Sequence, residues 1–288
     1  MLIVNPFAGR GLSKQALGII VSLFCSKDYA VTVFSTESGS AEHLAREYGH
    51  YFELIVCVGG DGTLSGVTSG LMHLQSPPPF GFIPAGTAND MGSTLALSRD
   101  HKVAVMKLIN GQPVPLDIGR FNDEYFTYIA AFGAFTGVSY KTTQSAKRAL
   151  GHFAYVTAGL ASVPTIKPQH AVVTYDDGTL EGDFVFGAVT NSTSIAGLVK
   201  LNKKDVDLGD GLFEVILVKN PVNAAELTSI ISSILNQTYK NGNVLLLHTK
   251  QIKFGFDEEV EWTKDGENGG SHRELEISNC CHALRIIV

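Results

Sequence analysis

Charge is scarce in this chain: Asp, Glu, Lys and Arg make up 17% of its 288 residues, against about 25% in ordinary soluble domains. With hydrophobic residues at 44%, a disordered chain, a coiled coil or a polar linker array is excluded. Basic residues are the minority sign, 22 Lys and Arg against 28 Asp and Glu for a net charge of -6, so a surface built to hold nucleic acid is not expected. Cysteine is confined to Cys25, Cys57, Cys280 and Cys281, with no C-x-x-C spacing, and reduced thiols in a cytoplasmic setting are expected. No apolar run reaches the roughly 20 residues of a membrane span. Residues 149–166 contain His152, Pro164 and two glycines, and 62–89 is broken by Pro77-Pro78-Pro79. The start, Met1-Leu2-Ile3-Val4-Asn5-Pro6, has no basic segment ahead of its short apolar stretch, so no export signal is expected. The chain also lacks a Walker A string, an H-x-x-x-H or H-E-x-x-H pair and a G-x-S-x-G elbow, which argues against P-loop, zinc-peptidase and α/β-hydrolase chemistry.

Glycine, in contrast, is plentiful, at 30 residues without a G-X-Y period, and belongs in turns and close backbone approaches. The first 110 residues alternate short apolar runs with helical periodicity. Strands are expected at 2–4, 30–34, 54–58 and 81–83, and helices at 13–26, 41–48 and 63–74. That order predicts a doubly wound α/β domain with a parallel sheet, whose ligands gather at the carboxyl ends of the strands. After Gly111-Gln112-Pro113 the texture changes to short strands near 114–121, 125–132, 171–175, 180–189, 212–218, 244–247, 252–256 and 260–263, which read as an antiparallel β-sandwich. Helices interrupt it at about 147–161 and 224–235, the second introduced by Asn220-Pro221 as N-cap and first-turn proline. Two domains are expected, 1–113 and 114–278, with 279–288 a candidate return to the first. An exposed edge strand in the second would allow pairing in a homodimer.

Three polar loops directly follow strands of the first domain: Asn5 to Gly11, Gly59 to Thr63, and Pro84 to Asp90. In Gly59-Gly60-Asp61-Gly62-Thr63, glycines admit phosphate oxygens to backbone N–H groups at a helix N-terminus. A carboxylate there repels a bare anion, so Asp61 points to a Mg²⁺-nucleotide. The same string also serves as a plain strand-to-helix turn with Asp61 as cap. Thr87 offers a hydroxyl to phosphate or sugar, and Asn89-Asp90 reads most simply as a helix cap. Gly9-Arg10-Gly11-Leu12-Ser13-Lys14 fails the dinucleotide G-x-G-x-x-G pattern at its last position. Asp177-Gly178 suits a hairpin, as does Asp265-Gly266, although Glu267 beside it supplies a carboxylate fit to act as a general base. Asp205, Asp207 and Asp210 form an oxygen-rich loop without EF-hand order. Lys141, Lys147 and Arg148 beside His152-Phe153-Ala154-Tyr155 form either a solvated helix face or a contact for an anionic bilayer.

Taken in order, Asn5-Pro6-x-Ala8-Gly9, Gly59-Gly60-Asp61-Gly62-Thr63, Pro84-Ala85-Gly86-Thr87-Ala88-Asn89-Asp90 and the late Asp265-Gly266-Glu267 resemble the diacylglycerol kinase catalytic family. The resemblance is to its soluble bacterial lipid kinases, related to sphingosine kinases and more distantly to NAD kinases. It covers nearly the whole chain, taking in Val114 to Gly119 and Asp210-Gly211-Leu212-Phe213. It implies an α/β domain followed by a β-sandwich, with ATP-dependent phosphorylation of the diacylglycerol hydroxyl to phosphatidic acid in the cleft between them. A kinase for phosphatidylglycerol or a sphingoid base, or a degenerate nucleotide- or lipid-binding protein, is the alternative. By the same resemblance, Asn5, Thr36, Gly59, Gly60, Asp61, Gly62, Thr63, Leu64, Ser65 and Thr87 would bind ATP. Asp61 would hold the catalytic Mg²⁺ through water, Asp117 would lie near that metal, and Glu267 would take the hydroxyl proton. A second, structural Mg²⁺ would be held by the Asp210 carboxylate and the backbone oxygens of Asp207 and Leu212. Where the family commonly has Asn-Glu after its Gly-Gly-Asp-Gly-Thr-Leu, this chain has Ser65-Gly66. To reach its lipid, such an enzyme would dock transiently on the inner face of the membrane, with Arg10, Lys147 and Arg148 as candidate contacts.

Overall fold

A computed structural model describes residues 1–9, 11–37, 40–134, 167–195, 199–202, 206–239 and 242–288. Strands β1 (Leu2–Val4), β2 (Val33–Ser35), β3 (Ile55–Gly59) and β4 (Phe80–Pro84) run parallel in the order β4-β3-β1-β2. β3 and β4 are buried along their whole length, as expected of parallel strands covered by helices on both faces. Helix α1 (Lys14–Cys25) is capped by the Ser13 hydroxyl, which accepts from the Ala16 N–H, and buries Ile20 and Phe24 beside α5 (His101–Asn110). Helices α2 (Ser40–Tyr48) and α3 (Asp61–Leu71) pack against each other. Glycine makes that approach possible: a Cβ on Gly70 would stand 2.3 Å from the Glu42 carbonyl oxygen, and one on Gly66 3.1 Å from Ala41 Cβ. A short helix α4 (Asp90–Thr94) follows β4.

The second half is antiparallel: β5 (Pro113–Phe121), β6 (Glu124–Phe126), β7 (Ile129–Gly133), β8 (Gln169–Tyr175), β9 (Gly178–Thr190), β10 (Ser194–Ile195), β11 (Val199–Lys200), β12 (Phe213–Lys219), helix α6 (Ala224–Asn236), β13 (Val244–Thr249), β14 (Gln251–Lys264) and β15 (Glu267–Ile287). Phe126, Phe132, Phe184, Phe213, Phe254 and Trp262 fill its interior, with the Trp262 ring 4.9 Å from Phe132 and 5.1 Å from Phe254. The end of β15 runs antiparallel to β5 and parallel to β4, pairing Ile286 with Phe80. One sheet path thus leads from β13 to β2. A polar seam also joins the halves: Thr68 bonds Thr127 at 2.6 Å, Thr94 bonds Ser192 at 2.8 Å, and Ser194 Oγ donates to Asp90.

Several local expectations need correction. Helix α3 starts at Asp61 with Gly60 as N-cap, so Asp61 sits in the first turn and is not the cap. Helix α6 is capped by Asn223, whose side chain accepts from the Glu226 N–H at 2.9 Å. Asn220-Pro221 therefore precedes the helix instead of starting it. The stretch expected as one strand at 125–132 divides into β6 and β7, whereas 252–263 is one strand with irregular register. The glycines and polar residues of the 21-residue β15 mask its alternation in sequence, and the structure adds helix α5 to the expected elements. Asp176-Asp177 does form the β8–β9 hairpin turn, with Tyr175 paired to Gly178. The expected helix at 147–161, with Lys147 and Arg148, lies outside the described residues, as do Arg10, Lys141 and Asp205.

Candidate active site

The three polar loops interlock at the carboxyl ends of the parallel strands. Asn5 Nδ2 donates to Thr63 Oγ1 at 3.1 Å, and Asn5 Oδ1 accepts from the Phe7 N–H at 3.0 Å. The Gly59 carbonyl accepts from the N–H groups of Ala85 and Gly86. A Cβ on Gly86 would lie 2.4 Å from Gly60 Cα, one on Gly9 would lie 2.4 Å from the Ala85 oxygen, and one on Gly59 would strike the Thr63 side chain at 2.5 Å. These glycines let backbone lie directly on backbone. Asn89 occupies the N-cap position of α4 in the left-handed region (φ 55°) but makes no cap bond. Its amide closes the third loop instead, donating to the Gly86 oxygen at 2.8 Å and accepting from the Gly86 N–H at 3.0 Å.

At the base of these loops sits Asp61. Burial, followed by the charge on Asp90, pushes its carboxyl up to about 6, against opposing N–H groups of Asp90, Asn89 and Met91. Its Oδ1 is buried without a hydrogen-bond partner. A pair of mutually repelling carboxylates with an unused oxygen, beside a glycine-lined helix N-terminus, fits a divalent cation and the phosphates it accompanies. Tyr128 is buried nearby, and burial together with the charges of Asp61, Asp265, Asp90 and Glu267 raises its phenol.

The opposite wall comes from the turn between β14 and β15. Lys264 pairs with Glu267 across Asp265 (φ 49°) and Gly266 (φ 83°), a two-residue turn with positive φ at both central positions. Asp265 does more than turn the chain. Its buried carboxylate accepts from the N–H groups of Thr127 (2.7 Å), Tyr128 (3.0 Å) and Ile129 (3.1 Å), and Ser65 also donates to it. Those bonds end β6, start β7 and fix the turn against α3. Glu267 is thereby held over the first turn of α3, its Oε1 3.1 Å from where a Cβ on Gly62 would be. The resulting cleft of about 670 Å³ includes Asn5, Thr36, Gly60, Gly62, Thr63, Ser65, Thr87 and Glu267 in its walls, with Lys264 ion-paired to Glu124 at its edge.

Not every expected residue reaches this cleft. The Leu64 side chain is fully buried in the core, so only its backbone remains available to a ligand. Gly59 acts sterically, beneath Thr63. Neither Asp61 nor Asp117 is among the wall residues of the cleft: Asp61, between the wall residues Gly60 and Gly62, meets the N–H groups of Asp90, Asn89 and Met91, and the buried Asp117 carboxylate accepts from the N–H groups of Gly211 (2.6 Å) and His282 (2.7 Å) and from Asn279 Nδ2 (3.2 Å). Asp117 therefore helps to organise the 207–212 loop. Within that loop Asp207 accepts from the Gly209 N–H and Asp210 from the Leu212 N–H, leaving each carboxylate a second oxygen on an exposed side chain. The departure at Ser65-Gly66 has a structural counterpart, since Ser65 serves Asp265 and Gly66 admits α2. In sequence Asp265 and Asn89 read as a turn residue and a cap, which account for both residue types locally, and no short motif signals the backbone groups they bind.

The profile of the diacylglycerol kinase catalytic domain matches residues 1–121, and that of the YegS C-terminal NAD kinase beta sandwich-like domain matches 132–288. The chain is 32% identical to a diacylglycerol kinase of Bacillus subtilis (strain 168) over 273 residues, covering 93% of this chain and 89% of that protein. It is 33% identical to one from Staphylococcus epidermidis (strain ATCC 12228 / FDA PCI 1200) over 272 residues, covering 93% and 85%. A crystal structure from Bacillus anthracis str. Sterne, assigned to the diacylglycerol kinases, superposes with a TM-score of 0.83 at 26% identity over 99% of this chain and 93% of that one.

Proposed function

Because the chain belongs to the diacylglycerol kinase catalytic family, we propose that it transfers the terminal phosphoryl group of ATP to the free hydroxyl of diacylglycerol, giving ADP and phosphatidic acid. The observation that carries this reading is the Glu267 carboxylate standing over Gly62 at the start of α3. Phosphoryl transfer asks for alignment and charge neutralisation more than for covalent participation by the protein. Backbone N–H groups at the start of α3 receive phosphate oxygens, Asn5 orients Thr63 beside them, and Thr36 and Thr87 offer hydroxyls from the flanking loops. Asp61 would hold Mg²⁺, which when bound offsets the charge of the transferring group. Glu267 accepts the proton of the lipid hydroxyl as its oxygen attacks phosphorus.

The Asp207, Asp210 and Leu212 loop provides oxygen donors for a second Mg²⁺ with a structural role. Among the described residues no helix is long and apolar enough to cross a membrane, so the lipid would be met by transient contact with an anionic membrane surface. Phe7, 83% exposed beside the cleft residues Ala8 and Gly9, offers an apolar group for that contact. The test is transfer from labelled ATP, with Mg²⁺, to diacylglycerol, phosphatidylglycerol, sphingosine and NAD in mixed micelles. Labelled phosphatidic acid as the main product is expected. Preference for another acceptor would replace the substrate, and no transfer despite ATP binding would overturn the kinase reading.

A further inference from the structure

Beside Asp117, where β15 pairs with β5, β15 breaks register between Cys280 and Leu284, and His282 takes a φ of 53°. This bulge brings two consecutive side chains, Cys281 and His282, to the 207–212 loop. One ligand atom from each of Asp117, Cys281 and His282 lies within 4.8 Å of the others. From this constellation we propose that Asp117, Cys281 and His282 bind a divalent metal ion of the zinc class, at a site separate from the nucleotide cleft and independent of the kinase reading.

Four features support it. His282 Nε2 lies 2.6 Å from the Gly209 carbonyl oxygen; a carbonyl only accepts, so the proton sits on Nε2 and the lone pair on Nδ1. A metal-binding imidazole is commonly oriented in this way, by giving its other N–H to a carbonyl. The Asp117 carboxylate is buried and held by Gly211, Asn279 and His282 N–H groups, so one ligand is already immobilised. The Cys281 thiol stands beside that carboxylate, within 4.8 Å. Metal binding exchanges the thiol proton for the ion, forming a metal–sulfur bond and releasing one proton. The two negative charges of thiolate and carboxylate then balance the dication. Finally, Asn279 Oδ1 is buried without a hydrogen-bond partner, and it can accept from a water completing four-coordination. Sulfur and imidazole ligands disfavour Mg²⁺, so this ion would not be the hard cation expected in the neighbouring loop.

The full-length protein is stripped with EDTA, returned to buffer with excess Mg²⁺ and titrated with Co²⁺. One equivalent should give thiolate-to-cobalt charge-transfer absorption in the near ultraviolet, which Zn²⁺ then abolishes by displacement. Cys281→Ser should lose the band, Cys280→Ser should keep it, and His282→Asn should weaken Co²⁺ binding by at least about tenfold. Asn suits the left-handed backbone at that position. In the wild type, Zn²⁺ should also protect the Cys281 peptide from alkylation, a measurement that needs no variant to fold. Absence of the band, its survival in Cys281→Ser, or unprotected Cys281 would overturn the site.

Discussion

Glu267 Oε1 stands 3.1 Å from the place a Cβ would occupy on Gly62. The two residues belong to different halves of the chain, and the glycine is what leaves the carboxylate room over the helix N-terminus. Glu267→Gln keeps the shape and removes the base, so turnover should fall on the order of 100-fold or more, with ATP affinity nearly unchanged. Gly62→Ala places a methyl against the carboxylate in a helix that otherwise tolerates alanine. It should melt like the wild type yet turn over more slowly. Steady-state transfer with parallel nucleotide titration checks both, and a Gln variant retaining most of its rate would remove Glu267 from this role.

Asp61 is raised from 3.8 to about 6 by burial and then by the charge of Asp90. A group whose pKa is higher folded than unfolded stabilises the protein below its unfolded value, and that contribution is lost as pH rises through the folded value. In EDTA, melting should therefore show a loss of stability between about pH 4 and pH 6. Asp61→Asn should melt higher than the wild type at neutral pH and lose activity. An unchanged melting profile across that window in the variant and the wild type would contradict this account.

Asp265 binds three backbone N–H groups from a buried position. Replacing it by Asn, which tolerates its φ of 49°, keeps one acceptor oxygen but sets an amide N–H₂ against at least one of those donors. Urea unfolding should reveal a loss of about 1–3 kcal/mol. Turnover should fall because the turn that carries Glu267 loosens.

Gly66→Glu restores the residue common in the family at this position, yet a Cβ there already meets Ala41 Cβ at 3.1 Å and the Glu42 nitrogen at 3.2 Å. Overpacking of about 1–3 kcal/mol is expected, read as a lower melting temperature without a gain in rate. A faster variant with unaltered melting would show that α2 yields.

If the 207–212 loop holds a structural Mg²⁺, wild-type melting should rise with Mg²⁺ concentration, and Asp210→Ala should lower both melting temperature and Mg²⁺ response. Melting indifferent to Mg²⁺ in the wild type would remove that metal.

The sequence by itself determined the parallel half and its three loops, because periodic burial, Ser13 as a cap and glycines after apolar runs are signals carried by neighbouring residues. It also marked Glu267 and the aspartates around 207–210 as chemically interesting. What only the tertiary structure decided was which of these meet. Asp117 and Asp61 are both buried or nearly so, yet sheet register places Asp117 beneath Gly211 and Asn279 while helix α3 places Asp61 beside Asp90. The same holds for Asp265, whose Asp-Gly context foretells a turn but not the three N–H groups it binds. Turns and caps are fixed by contacts a few residues apart. The meeting of Glu267 with Gly62, or of Cys281 with Asp117, depends on long-range strand pairing and core packing, to which every buried side chain contributes and no short motif corresponds.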